Sequence, residues 1–482
     1  MSAAPPIALP HGVACHLVGG REVPAGAERL PVHNPATGEV IAEVCLGGAA
    51  EVDAAVAAAR AAFPAWSATP LKERVQVFFR YRQLLEAHRG ELAALITEEH
   101  GKILSEGDAE VAKAMELCEF ACSLPQVALG EVLEVSRGIE CRLERFPIGV
   151  VASVAPFNFP VMVPHWTIPN ALALGNCMVF KPSERVPLST LRFARLLREA
   201  GLPDGVFNVV QGGRAVVEAI CDHPGIAAVS FVGSTSTAQA VYRRATGALK
   251  RALALGGAKN HLVVLPDAEP DLTADTVLNS AIGCAGQRCM AASVMVAVSG
   301  TDHIVNRLTE LARRMVPGRD YGPVISAVAK SRIEGYITEA VADGAEVLLD
   351  GRGPSVPGAE GGFWVGPTIL DRVRPDMRIA QEEVFGPVLA ILRAGSLDEG
   401  LAIQQRSRYG NAAAIFTTSG GAAHELMERA SAGMIGVNVG VPVPREPFPF
   451  GGWNDSRYGV GDITGKSSIE FWTQAKKTTV RW

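Results

Sequence analysis

Short apolar runs alternate with amphipathic stretches along most of the chain, the pattern of parallel strands joined by crossover helices. Val150 to Val154 and Cys177 to Phe180 are strand-length apolar runs, as expected of strands buried on both faces. Between Ser189 and Ala200, Leu191, Ala194 and Leu196 or Leu197 recur at helical spacing, and Gly201 and Pro203 end that helix. Phe207 to Val210 reads as the next strand, running into Gly212-Gly213. Ala228 to Val232 is another, followed by Gly233-Ser234 and a helix over Thr235 to Thr246. Upstream, Glu51 to Phe63 and Arg74 to His88 carry helical periodicity. Val150 to about Ala254 is therefore one repeated β–α unit, arranged as a nucleotide-binding half would be.

The pattern restarts after Leu255. Leu262 to Leu265 is a strand, Leu272 to Ile282 a helix and Val294 to Val298 a strand, with further strands at Glu346 to Leu349 and Val388 to Leu392. This second α/β region runs to about Asn438. The tail from Gly451 to Trp482 is rich in Gly, Ser and aromatics and ends in Lys476-Lys477-Thr478-Thr479-Val480. That extended segment suits pairing with a neighbour better than a core.

Composition narrows the class. The 482 residues are about three times a ~150-residue domain, so more than one core is expected. With 48% hydrophobic and 20% charged residues the chain is no disordered protein. Forty-five basic against 50 acidic residues leave a net charge of −5, which offers no footprint for nucleic acid. Nine cysteines scattered from Cys15 to Cys289 read as reduced thiols rather than a disulfide framework. Met1 to Gly20 shows no secretory signal pattern. Phe146 to Phe180 holds no Asp, Glu, Lys or Arg and is long enough to span a bilayer. Its five prolines, at 147, 156, 160, 164 and 169, fit strands and turns near a site instead. A cytoplasmic protein is expected, with no membrane or nucleic-acid partner.

Four short segments carry chemistry. Cys289 lies in Gly286-Gln287-Arg288-Cys289, where small neighbours open the sulfur to a substrate. The adjacent Arg288 is expected to favour thiolate and to hold an anionic group. Asn158, in Ala155-Pro156-Phe157-Asn158-Phe159-Pro160 at a strand end, has an amide able to donate to an oxyanion. Lys181-Pro182-Ser183-Glu184 ends the next strand, a position that suits ribose hydroxyls. Phe231-Val232-Gly233-Ser234-Thr235 is a strand–Gly–helix turn whose N–H groups face a pyrophosphate in such folds. Taken singly, these are equally a structural cysteine and three turns.

In this order the four motifs resemble the aldehyde dehydrogenase superfamily over nearly the whole chain, together with Glu382-Glu383-Val384-Phe385-Gly386-Pro387 and Asn34 to Glu39. Gly257-Ala258-Lys259-Asn260-His261, Gly286 to Met290, Ala414 to Thr418 and Gly436-Val437-Asn438 are similar to its coenzyme A-acylating methylmalonate-semialdehyde branch. The resemblance implies an α/β fold with a Rossmann-like cofactor domain (1–123 and 146–253), an α/β catalytic domain (254–450) and an oligomerisation arm with the C-terminal tail (124–145 and 451–482). It implies NAD as cofactor, coenzyme A as co-substrate, a small aldehyde as substrate, no metal, and a homotetramer or homodimer. Cys289 becomes the nucleophile and Asn158 the oxyanion donor. Lys181 and Glu184 hold the adenine ribose, Gly233 and Ser234 the pyrophosphate, and Glu383 the nicotinamide ribose, with Phe157 and Phe385 also on the cofactor side.

Two departures matter. Hydrolytic members carry a water-activating glutamate just before the Gly257-Ala258-Lys259 position; here Leu255 stands there, and no glutamate occurs between Glu218 and Glu269. The implied thioester then waits for coenzyme A, since a thiol needs less help than water. A hydrolytic enzyme with another base, for example Glu383, is the alternative. The branch also uses two arginines for a substrate carboxylate. Arg288 matches one, whereas Lys113, on a helix expected over Ala109 to Phe120, stands at the other and offers a point charge instead of a fork. Arg445 is a further candidate anion contact.

Overall fold

The computed structural model describes residues 10–24 and 28–482. Residues 1–9, where the signal-free N-terminus and the start of the cofactor domain were expected, lie outside the described residues.

Two large sheets organise the chain. The first has eight strands in the spatial order Arg457–Tyr458, Arg251–Leu255, Ala228–Val232, Val150–Val154, Cys177–Lys181, Phe207–Val209, His16–Val18 and Arg21–Val23. Its five central strands are parallel, and the outer ones run antiparallel. The chain steps outward from Val150–Val154 through Cys177–Lys181 to Phe207–Val209, then returns to the other side of Val150–Val154 at Ala228–Val232. That reversal creates a crevice at the carboxyl ends of the two adjoining strands. Strand Arg251–Leu255 straddles the expected domain boundary at 253/254 and pairs fully with Ala228–Val232. Part of the tail, Arg457–Tyr458, also joins this sheet.

The second sheet has seven strands in the order Glu346–Leu349, Thr368–Asp371, Val388–Ala394, Ala292–Val298, Asn260–Val264, Ala412–Phe416 and Met434–Val437. All neighbours but the first pair are parallel. Its amino-terminal strand ends face the carboxyl ends of the first sheet, and the cleft lies between them.

Four helices precede the first central strand: α1 (Ala49–Ala68), α2 (Leu71–Ala87), α3 (Arg89–His100) and α4 (Leu104–Val127). Helix α4 is longer than the stretch Ala109 to Phe120, and it takes Leu124–Val127 from the expected arm. The run from Phe146 to Phe180 is buried almost throughout but is not strands and turns alone, since it contains short helices at Met162–His165 and Ile168–Ala173. Among the described residues no helix is long and apolar enough to cross a membrane.

A three-stranded antiparallel sheet stands apart. Thr473–Arg481 pairs with Ile139–Pro147 over nine positions, and Ile139–Pro147 with Glu131–Ser136. The C-terminal strand thus pairs within its own chain. Glu131–Ser136 is one edge of this sheet and is exposed throughout, with Val132 and Leu133 at 65% and 66%.

An aromatic cluster fixes the helix Pro187–Glu199 on the first sheet. Phe193 is fully buried and lies 5.0 Å from the His165 ring, centroid to centroid, and 6.3 Å from those of Phe180 and Phe207. Phe193→Ala should therefore lower unfolding stability by about 3–5 kcal/mol through lost burial and the cavity left behind. Urea unfolding followed by circular dichroism checks this; an unchanged midpoint contradicts it.

Candidate active site

A cavity of about 1170 Å³ lies between the two sheets. The strand-end segment Val154 to Asn158 lines it, with Lys181, Ser183 and Glu184 from the next strand end and Gly233 and Ser234 from the third. From the opposite side come Gly257, Cys289, Glu383 and Phe385. Of the residues singled out in the sequence, this one cavity gathers Phe157, Asn158, Lys181, Glu184, Gly233, Ser234, Cys289, Glu383 and Phe385.

The cysteine loop is built by close approach. Gly286 has φ +68, and a Cβ there would lie 2.0 Å from the Gly386 carbonyl oxygen, so only glycine lets this loop meet the Phe385 loop. Cys284 and Ala285 both hold φ +52, a left-handed conformation costly for residues with a Cβ. The Cys289 carbonyl accepts from Asn260 Nδ2 at 2.8 Å and Asn411 Nδ2 at 2.9 Å. Two side chains thus anchor the backbone of Cys289.

Burial and, after it, the Glu383 carboxylate push the Cys289 thiol up to about 12. The N–H groups of Cys289 and Met290 pull the other way, and Arg288 contributes least. The expected thiolate stabilisation by Arg288 is therefore corrected: the guanidinium turns to Glu106, 3.0 Å away. Cys289 at rest is a thiol.

Asn158 Nδ2 donates to the Gln287 carbonyl at 2.9 Å, which commits one of its two N–H groups and leaves the other for a ligand. Its loop is held by a fully buried ion pair. Lys102 Nζ donates to Glu110 Oε2 at 2.5 Å and to the Asn158 carbonyl at 2.9 Å, and lies over the Phe159 ring. Glu110 Oε1 accepts from the N–H groups of Val161 and Met162 at 2.7 and 3.0 Å.

At the far end, Lys181 Nζ donates to Glu184 Oε2 at 2.9 Å. The Lys181 ammonium holds the Glu184 carboxyl below its ordinary value although burial opposes this. Ser234 precedes the helix Thr235–Gly247, whose N-terminus opens toward the cavity. Glu383 Oε2 sits over Gly257, where a Cβ would lie 2.4 Å away. Burial raises this carboxyl to about 7 and lowers the neighbouring Lys259 to about 8. Phe157 meets Phe385 edge-on with ring centroids 5.8 Å apart.

Neither expected carboxylate contact lines the cavity. Arg288 pairs with Glu106, and Lys113 Nζ donates to Glu446 Oε2 at 2.8 Å and Glu116 Oε2 at 3.0 Å. Arg445 is largely exposed, 3.9 Å from Glu116. Sequence reasoning missed Lys102, Glu106, Glu110 and Glu446, along with Trp166, which lines the cavity and packs on Phe450. One signal was available: Gly107, Glu110, Val111 and Ala114 form the buried stripe of α4, and a glutamate there demands a partner.

A doubly wound sheet with a nucleotide-sized cleft, closed at its inner end by a cysteine beside an asparagine amide, defines a nucleotide-dependent oxidoreductase of the cysteine-containing class. The chain belongs to the aldehyde dehydrogenase family, whose model matches residues 23–478. It is 46% identical over 475 residues to malonate-semialdehyde dehydrogenase 2 of Bacillus cereus, covering 96% of this chain and 97% of that protein. The crystal structure of methylmalonate-semialdehyde dehydrogenase from Oceanimonas doudoroffii is similar at a TM-score of 0.96 and 43% identity, covering 98% of each chain. Betaine aldehyde dehydrogenase of Staphylococcus aureus, solved with NAD+, is similar at a TM-score of 0.92 and 28% identity, covering 97% of this chain and 95% of that one.

With the thiol near 12, thiolate is scarce at neutral pH and grows tenfold per unit. Iodoacetamide alkylation of Cys289 in the ligand-free enzyme should therefore rise about tenfold per pH unit between 7 and 9, with no plateau. Mass spectrometry of the Cys289 peptide measures this; a plateau beginning below pH 8 would show a stabilised thiolate.

Proposed function

We propose that this enzyme oxidises a small aldehyde, of the semialdehyde class named in its relatives, with NAD through a thioester on Cys289 and passes the acyl group to coenzyme A. The observation that carries this reading is the joint presence of Cys289 and Asn158 at the inner end of the cleft while Leu255 occupies the place of the water-activating glutamate. Leu255 is 4% exposed on its strand and brings no acid or base to the site.

The cavity fits the cofactor. Lys181 and Glu184 would hold the adenine ribose, Gly233 and Ser234 the pyrophosphate, and Glu383 the nicotinamide ribose, with Phe157 and Phe385 beside the ring. When bound, NAD supplies the hydride acceptor. The Cys289 thiol gives its proton to solvent water, and the thiolate sulfur adds to the aldehyde carbon. The carbonyl oxygen gathers charge and is met by the free N–H of Asn158 and the backbone N–H of Cys289. Hydride leaves the same carbon and the acyl group stays on sulfur. A second thiol, from coenzyme A, then displaces Cys289.

Hydrolysis is the second reading, favoured by one observation: a Glu383 carboxyl near 7 is suited to act as a base at neutral pH. We also assign the cofactor domain to 1–123 and 146–253, the catalytic domain to 254–450, and the arm and tail to 124–145 and 451–482, with the strand overlaps described above. The exposed apolar edge Glu131–Ser136 supports a homotetramer or homodimer in which a second copy covers it. All nine cysteines are free, which supports a reducing, cytoplasmic setting.

With NAD and aldehyde but no coenzyme A, NADH should appear as a burst of about one per Cys289, followed by turnover roughly 100-fold or more slower than with coenzyme A. Stopped-flow absorbance measures both phases. Equal steady rates with and without coenzyme A would favour hydrolysis, and a burst surviving in Cys289→Ala would remove the thioester.

A further inference from the structure

The three cations expected to meet a substrate anion each face a carboxylate of the chain itself. Arg288 Nη2 donates to Glu106 Oε1 at 3.0 Å, and the same oxygen accepts from the Cys284 N–H at 2.6 Å. Lys113 Nζ donates to Glu446 Oε2 at 2.8 Å and to Glu116 Oε2 at 3.0 Å, while Arg445 lies 3.9 Å from Glu116 Oε1. Three cations stand against three carboxylates, so the cluster carries no formal charge.

The inner pairs are not loose surface bridges. The side chains of Lys113 and Glu446 are 17% and 10% exposed, and those of Arg288 and Glu106 are 22% and 13%. None of the four lines the cavity itself, but they are tied to its cysteine end. Glu106 and Lys113 lie seven residues apart on α4, with Glu110 between them on the same face. Glu110 holds Val161 and Met162, next to the cavity-lining Val163 and Trp166. Trp166 in turn packs on Phe450, four residues beyond Glu446, with ring centroids 4.4 Å apart.

We propose that Glu106 and Glu446 are specificity-determining residues that keep Arg288 and Lys113 occupied. An aldehyde bearing a carboxylate gains a cation only by displacing one of them, whereas an uncharged aldehyde of similar length displaces nothing. The exchange replaces one carboxylate by another and leaves a largely buried glutamate without its partner, so its net gain is small. Discrimination in favour of carboxylate-bearing aldehydes is thereby muted, and it is set by the chain's own acids as much as by its cations. This rests on the reading of Cys289 as the thiol that attacks the aldehyde.

The test compares kcat/KM for malonate semialdehyde and propanal, with NAD and coenzyme A, in the wild type, Glu446→Gln, Glu106→Gln, Lys113→Met and the Lys113→Met/Glu446→Gln double variant. Glu446→Gln should raise the semialdehyde-to-propanal ratio by about tenfold. Lys113→Met should lower that ratio less than about threefold alone and about tenfold in the Glu446→Gln background. A ratio unchanged or lowered in Glu446→Gln overturns the proposal, a lowered one meaning that Glu446 orders Lys113 for the substrate. Glu106 also holds the cysteine loop; if its variant does not fold, Glu446→Gln and the double variant decide alone. A second readout needs no turnover: protection of Cys289 from iodoacetamide by propanoate should tighten about tenfold in Glu446→Gln, and unchanged protection contradicts the proposal. Absence of acyl-coenzyme A from both aldehydes would sink the proposed reaction without moving the protection result, so the two failures are distinct.

Discussion

The buried pair Lys102–Glu110 is the constraint on which the site depends. Both side chains are fully buried, and taking two charges out of water costs several kcal/mol each before any contact is made. The pair persists because its remaining bonding capacity is used on the site loop: the ammonium on the Asn158 carbonyl, the second carboxylate oxygen on two backbone N–H groups. Removing either partner would strand the other as a buried charge, a loss of about 3–5 kcal/mol. Glu106 and Lys113 extend the arrangement along the same face of α4, one reaching the cysteine loop and the other the segment around Glu446. A single helix face therefore sets the relative positions of three loops from distant parts of the chain.

Given that rigidity, the electrostatics of the cavity become intelligible. Burial alone would keep Cys289 protonated, and Glu383 in the same cavity reinforces this. The carboxyl of Glu383 is itself raised by burial, and Lys259 is lowered. Burial pushes each group toward its neutral form. Donors preorganised toward an oxygen act most strongly in such a medium, because no water competes for the developing charge. The neutral pairs at Glu106 and Glu446 fit the same design.

Much of the doubly wound region was legible in the sequence because its strands are buried on both faces. Val150–Val154 and Ala228–Val232 are bounded by turn residues and contain no polar interruption long enough to confuse their length. The short helices at Met162–His165 and Ile168–Ala173 were not legible. Pro164 and Pro169 sit inside or at the start of them, and proline density argues against helix when only sequence is read. The end of α4 also lies beyond the stretch Ala109 to Phe120, with Pro125 inside its last turns. At the site, residues whose chemistry is local were found, including Cys289, Asn158 and Glu383. Residues whose role is relational were not: Lys102 meets a carbonyl 56 positions away, and Arg288 meets a carboxylate 182 positions earlier. Adjacency to Cys289 suggested that Arg288 would serve the sulfur. In an irregular loop, however, neighbouring side chains diverge.

The position of Leu255 gains force from this frame. Its strand pairs with Ala228–Val232 through its whole length, and its carbonyl accepts from the Gly233 N–H at 3.1 Å. The backbone at Leu255, the position proposed to lack the water-activating glutamate, is thus held in place against the Gly233 turn. Two other carboxylates of the cavity, Glu184 and Glu218, are engaged with Lys181 and with Arg214 and Arg244 at the outer end. Glu383 is the one carboxylate at the cysteine end of the cavity, and it lies on the side expected to bind ribose. If Glu383 holds the cofactor as proposed, no other carboxylate lining the cavity stands at the cysteine end to aim water at the acyl group. A thiol arriving already partly ionised needs none, and on the proposed reading that asymmetry follows from the apolar Leu255.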